Sequence, residues 1–141
     1  MTGFVLDNSV AMRWMFESNM VSDQNYAEKV LKSFSIEDAL VPNLWHLEAS
    51  NVLLGAEKRS EITFGEIEGF ISQLENLPIQ VDPLTARQSF SKTLALGRAY
   101  NLSSYDAAYL ELAIRKGIPL ASLDKKLIIA AGKSGVEIYL K

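Results

Sequence analysis

The chain contains no cysteine, which excludes disulfides and thiolate metal sites and fits a reducing compartment. It has no apolar run of membrane-spanning length, and Met1 to Glu17 lacks the basic start and long apolar middle of a signal peptide. The expectation is a cytoplasmic protein with no membrane partner. Positive charge is not in excess: the formal net charge is −3, so a nucleic-acid partner would need a local basic patch or bound cations rather than bulk electrostatics. Internal repeats and low-complexity segments are also missing. What remains is an ordinary globular composition, 48% apolar and 22% charged over 141 residues. That length suits one domain, residues 1–141, burying roughly 70% of its unfolded surface.

Short apolar runs alternate with helical patterns. Phe4-Val5-Leu6 reads as a strand ending at Asp7, followed by the cap-type residues Asn8 and Ser9 and a helical VAMRWMF. Asp23 to Phe34 is amphipathic, with Tyr26, Val30 and Phe34 in register and Lys29 and Lys32 opposite. Ala39 to Val41 reads as a strand, Asn43 to Arg59 as a helix, and Thr63-Phe64-Gly65-Glu66 as a capping box opening a helix to Leu77. Ile79 to Val81 is a third strand, and Pro83 opens a helix over Leu84 to Tyr100 that Asn101 stops.

The stretch Leu102 to Leu127, LSSYDAAYLELAIRKGIPLASLDKKL, is the centre of the chain. Ser103 caps a nearly all-apolar helix with Asp106 in its first turn, and Lys116 and Gly117 stop it. Pro119 to Leu123 suits a buried strand, Asp124 begins the next helix, and Val136 to Leu140 reads as a last strand. Strands separated by helices predict an α/β fold: a three-layer α/β/α sandwich on a mostly parallel sheet of four to five strands.

Four carboxylates stand where a charge is costly. Asp7 and Asp124 lie at strand ends and Asp106 in the first turn of a buried helix. Glu48 shares a helix face with Leu44, Trp45 and Val52, as a rim residue or as an inward carboxylate paired with a cation. His46 points elsewhere and reads as a surface residue. Singly, each carboxylate could be a cap or a rim residue. Together, strand ends of a parallel sheet converge on one edge, and four anions in one cleft need compensation. Carboxylate oxygens without His or Cys favour Mg²⁺ or Mn²⁺, and such a cation suits attack on a phosphodiester.

FVLDNSVAMRW, PNLWHLEASNVL and LSSYDAAYLELAIRKGIPLASLDKKL, in that order, resemble the motifs of PIN-domain ribonucleases, in particular the VapC-type toxins of prokaryotic toxin–antitoxin pairs. Position by position, Asp7, Glu48, Asp106 and Asp124 match that family's acidic metal and catalytic residues, and Ser9 and Ser122 its supporting small polar residues. The resemblance implies Mg²⁺- or Mn²⁺-dependent RNA cleavage, an antitoxin partner and a homodimer. The chain departs from some relatives two positions after the last Asp, where Lys126 replaces an acidic residue, which weakens the case for a second firmly held metal. Arg13, Lys125 and Lys126 are candidate contacts to RNA phosphates. Two rivals stand beside this reading. A non-catalytic PIN-like binding module would keep the fold without turnover. An aspartyl-phosphate phosphotransferase would use Asp7, but Asn8-Ser9 follows it with no second Asp two residues on.

Overall fold

A computed structural model describes residues 3–141, so Met1 and Thr2 of the N-terminal stretch lie outside the described residues. The strands are β1 (Phe4–Leu6), β2 (Ala39–Val41), β3 (Ile79–Val81) and β4 (Leu120–Ala121). They form one sheet in the order β3-β2-β1-β4, every pair parallel, with Phe4 opposite Ala39, Val5 opposite Leu120 and Leu40 opposite Gln80. β1 and β4 are wholly buried, as strands covered on both faces must be.

The helices are α1 (Asn8–Ala11), α2 (Val21–Lys32), α3 (Trp45–Lys58), α4 (Phe64–Glu75), α5 (Thr85–Gln88), α6 (Leu94–Tyr100), α7 (Ser104–Lys116) and α8 (Lys125–Lys133). The chain steps from β1 to β2 to β3 in one direction, then returns past β1 to β4. Right-handed crossovers therefore place α1–α4 on one face and α5–α7 on the other. This is the expected α/β/α layering. It also makes the carboxyl ends of β1 and β4 the switch point, where the connections leave in opposite directions and side chains can meet in a crevice. Among the described residues no helix is long and apolar enough to cross a membrane.

Local chemistry places most boundaries. Thr63 and Glu66 form the reciprocal capping box, Ser103 accepts from the Asp106 amide, and Asn101 and Gly117 end their helices in the left-handed conformation, at φ 53° and 65°. Four details differ from expectation. The helix expected over Leu84 to Tyr100 is split by a π-helical turn, Ser89–Thr93, which buries Thr93 and leaves Phe90 95% exposed. The helix expected to run to Phe34 ends at Lys32 and tightens into a 3₁₀ turn, Ser33–Ser35. Val52, expected on a core-facing stripe with Glu48, is 41% exposed. The last strand is reduced to a single bridge between Leu120 and Ile138, because β4 offers only two residues and Leu140 turns away at φ 59°.

Candidate active site

The switch point is built from hydroxyls and carboxylates. Asp7 follows β1, with its backbone amide bonded to Ala121 O of β4 at 3.0 Å. It occupies the N-cap position of α1, yet its side chain caps nothing. Instead Oδ2 accepts from Ser9 Oγ at 2.6 Å and from Ser122 Oγ at 2.8 Å. Each hydroxyl in turn accepts a backbone N–H: Leu123 N donates to Ser9 and Asp124 N to Ser122. A serine hydroxyl has one proton. With it committed to Asp7, both serines act as donors aimed at one carboxylate oxygen, and the 3.4 Å approach of their two oxygens is only a contact. No described donor reaches Asp7 Oδ1.

Asp7 is 7% exposed, and its pKa is pushed up to about 6. Burial is the main cause. The two serine bonds oppose it, and the charges of Asp106 and Glu48 add to it. Asp106, half-buried in the first turn of α7, is also held above the usual carboxylate range, by burial and then by the charge of Asp124, against Ser103 and Lys126. Asp124 caps α8, its Oδ1 accepting from Lys126 N at 3.0 Å and Leu127 N at 3.3 Å. Glu48 lies on α3, half-buried, with Oε1 accepting from Tyr109 Oη at 2.5 Å and Asn8 Nδ2 at 3.4 Å. Its protein partners among the described residues are a phenol and an amide.

The structure therefore joins Asp7, Ser9, Ser122 and Asp124 through one hydrogen-bond chain. Glu48 is joined to that group through Asn8, the residue next to Asp7. Asp106 couples to Asp7 and Asp124 by charge. Three of the four carboxylates have one oxygen anchored and no described donor on the other, a donor set of oxygens alone that suits a hard divalent cation. As placed, no three described His, Asp or Glu side chains close around one point. Of the candidate phosphate contacts, Lys126 reaches Asp106 by charge. Lys125 is exposed beside it, and Arg13 is half-exposed in the turn Met12–Trp14 with no described link to the acidic group.

Two residues at the site carry no sequence signal of their own. Tyr109 reads as one more apolar position of α7, and Asn8 as a helix cap. A buried triad escapes the sequence for the same reason. Arg115 of α7 bonds Asp82, after β3, at 2.7 and 3.0 Å, and Glu111 at 2.8 and 3.0 Å. Only the spacing of Glu111 and Arg115, four apart on a helix, hinted at part of it.

No curated protein sequence matches the chain. The crystal structure of PAE2754 from Pyrobaculum aerophilum superposes with a TM-score of 0.66 over 92% of this chain and 86% of that one, at 18% identity, a likeness of fold. A sequence model of the PIN domain matches residues 4–133, the span from β1 to the end of α8 and so every residue of the acidic group. The chain belongs to the PIN domain family, whose fold is of nuclease type.

Proposed function

We propose that the chain, as one PIN domain, is a Mg²⁺- or Mn²⁺-dependent endoribonuclease that hydrolyses RNA phosphodiester bonds. Asp7, Glu48, Asp106 and Asp124 would hold the cation and do the catalytic work, with Ser9 and Ser122 supporting Asp7. One observation carries this reading. Three of the four carboxylates, Asp7, Glu48 and Asp124, keep one oxygen anchored and the other without a described donor, and Asp106 adds its charge to the raised pKa of Asp7.

A cation bound there would lower the pKa of a water it holds and offset charge developing on the phosphate. The chain's own residues supply the rest. Ser9 and Ser122 fix Asp7 in one rotamer, so its position costs no reorganisation. Asp106 is open to water and sits above the usual carboxylate range, which suits it to take the proton of the attacking water and return it to the leaving alkoxide. The water oxygen bonds to phosphorus as the ester P–O bond breaks. Lys125 and Lys126, at the head of α8, would meet neighbouring phosphates.

The resemblance to VapC-type toxins supports a narrower reading: a type II toxin that is restrained by an antitoxin protein and works as a homodimer. A small neighbouring reading frame whose product co-purifies with the chain, and light scattering at twice the chain mass, would support it. A strict monomer with no such partner would count against it. The open placement of the carboxylates favours one rival, a binding module without turnover.

Incubation of the purified chain with structured RNAs separates these. Cleavage with Mg²⁺ or Mn²⁺, absent in EDTA and absent in Asp7→Asn, is the expected result. RNA bound but intact with every metal would make the chain a binding module.

A further inference from the structure

We propose that Tyr109 is the positioning residue of the acidic site: its hydroxyl, together with the Asn8 amide, holds one oxygen of Glu48 so that the other stays available for a cation. This rests on the metal-dependent reading above.

Glu48 has no other described means of staying in the cleft. It sits on α3, and among the described residues its carboxylate receives hydrogen bonds only from Tyr109 Oη and Asn8 Nδ2, both on Oε1. Tyr109 is wholly buried and lies three residues after Asp106, on the same face of α7. One helix thus carries a candidate ligand and the hydroxyl that aims a second. Asn8 adds the third element. Its Nδ2 reaches Trp45 O at 3.0 Å, Tyr109 Oη at 3.4 Å and Glu48 Oε1 at 3.4 Å, so α1, α3 and α7 meet at one amide. The Trp45 carbonyl fixes which way that amide turns: reversed, Asn8 Oδ1 would face another acceptor. Tyr109 therefore accepts from Asn8 and must spend its single proton on Glu48. A phenol rather than a lysine in this place brings no positive charge to Glu48 and leaves neutralisation to come from the cleft. Tyr109 touches neither Asp7 nor Asp106 by hydrogen bond, so Glu48 is the one carboxylate of the four that it holds among the described residues.

The test uses Tyr109→Phe, Glu48→Gln and the double variant, with Asn8→Ala as a second route to the same bond. Mn²⁺ affinity is read by calorimetry, and the buried phenol proton by proton NMR without metal. We expect a low-field hydroxyl resonance in the wild type that Glu48→Gln shifts upfield and Tyr109→Phe removes. Tyr109→Phe should weaken Mn²⁺ binding about tenfold to a hundredfold, the usual cost of losing a group that orients a ligand, and Asn8→Ala should do so in part. In the Glu48→Gln background Tyr109→Phe should change Mn²⁺ affinity little further, which a general loss of packing would not reproduce. Wild-type Mn²⁺ affinity in a folded Tyr109→Phe, with binding abolished in Asp7→Asn, would overturn the role of Tyr109 and leave the metal site standing. If Tyr109→Phe fails to fold, wild-type affinity in Asn8→Ala together with an unshifted phenol proton in Glu48→Gln overturns it equally. A wild type that takes up no Mn²⁺ would overturn the underlying reading instead.

Discussion

At Asp7 burial removes water from a carboxylate, and hydroxyls compensate only one of its two oxygens. The unmet cost has a sign. The native pKa is raised from 3.8 to about 6, so the folded chain binds this proton more tightly than the unfolded one. That contribution to stability is fully present below the unfolded value and is lost as pH rises through about 6. At roughly 1.4 kcal/mol per pKa unit it is on the order of 3 kcal/mol. In EDTA above pH 7, Asp7→Asn should therefore melt higher than the wild type, with the gap closing toward pH 4, while cleavage is lost. An equal or lower melting temperature at neutral pH would show that the charge is compensated in a way the hydrogen bonds do not reveal. Asp124 should behave in the opposite way. Its Oδ1 caps α8 through two amides, so Asp124→Ala should cost about 1 kcal/mol in a urea melt without metal, and Asp124→Asn much less.

At the scale of elements, α7 is anchored at both ends by different chemistry. Its first two turns carry Asp106 and Tyr109 into the acidic group, and its last turn carries Arg115 into the triad. Burial alone would push Asp82 up, but its bonds to Arg115 and the guanidinium charge outweigh that and hold it below the usual range. Arg115 is pushed further up by the same bonds, to Asp82 and then Glu111. Arg115→Met would leave two carboxylates buried without a cation and should cost about 3–5 kcal/mol. Adding Glu111→Leu should recover part of it, since one of the stranded charges is then gone. Denaturant melts of the single and double variants check this. The sign at low pH follows from Asp82: its contribution is present above the ordinary carboxylate pKa and is lost as pH falls through the depressed one.

For the whole molecule, a net charge of −3 sits on a chain read as an RNA enzyme. Binding should then depend on the cation and on few side chains. With Arg13, Lys125 and Lys126 as the phosphate contacts, the logarithmic salt slope on single-stranded RNA should be near about −2, at roughly −0.7 per contact. A slope steeper than about −5 would mean an extended basic surface elsewhere. Added Mg²⁺ or Mn²⁺ should raise the melting temperature of the wild type, by the equivalent of about 2.7 kcal/mol at a hundred times Kd. The rise should shrink in Asp7→Asn and Asp106→Asn.

What the sequence by itself determined is what depends on neighbours along the chain. Strand runs, the capping box at Thr63, the cap at Ser103 and the stops at Asn101 and Gly117 are local, and their outcome was readable from a few residues each. The alternation of strand and helix was enough for the parallel α/β fold, and the carboxylates could be picked out because each stood in a place that is costly for charge. Only the tertiary structure decided how those carboxylates are held. The two serines on Asp7 Oδ2 come from positions 9 and 122, and the clamp on Glu48 joins positions 8, 48 and 109. No local propensity signals a bond across a hundred residues, and a buried tyrosine looks like any other apolar residue until its hydroxyl is placed. The same holds for Asp82 and Arg115, 33 residues apart. It holds too for the last strand, whose alternation promised pairing that a two-residue β4 could not supply. Periodicity reports which face a residue takes, whereas the partner on that face is set by how the sheet twists and where the helices cross it.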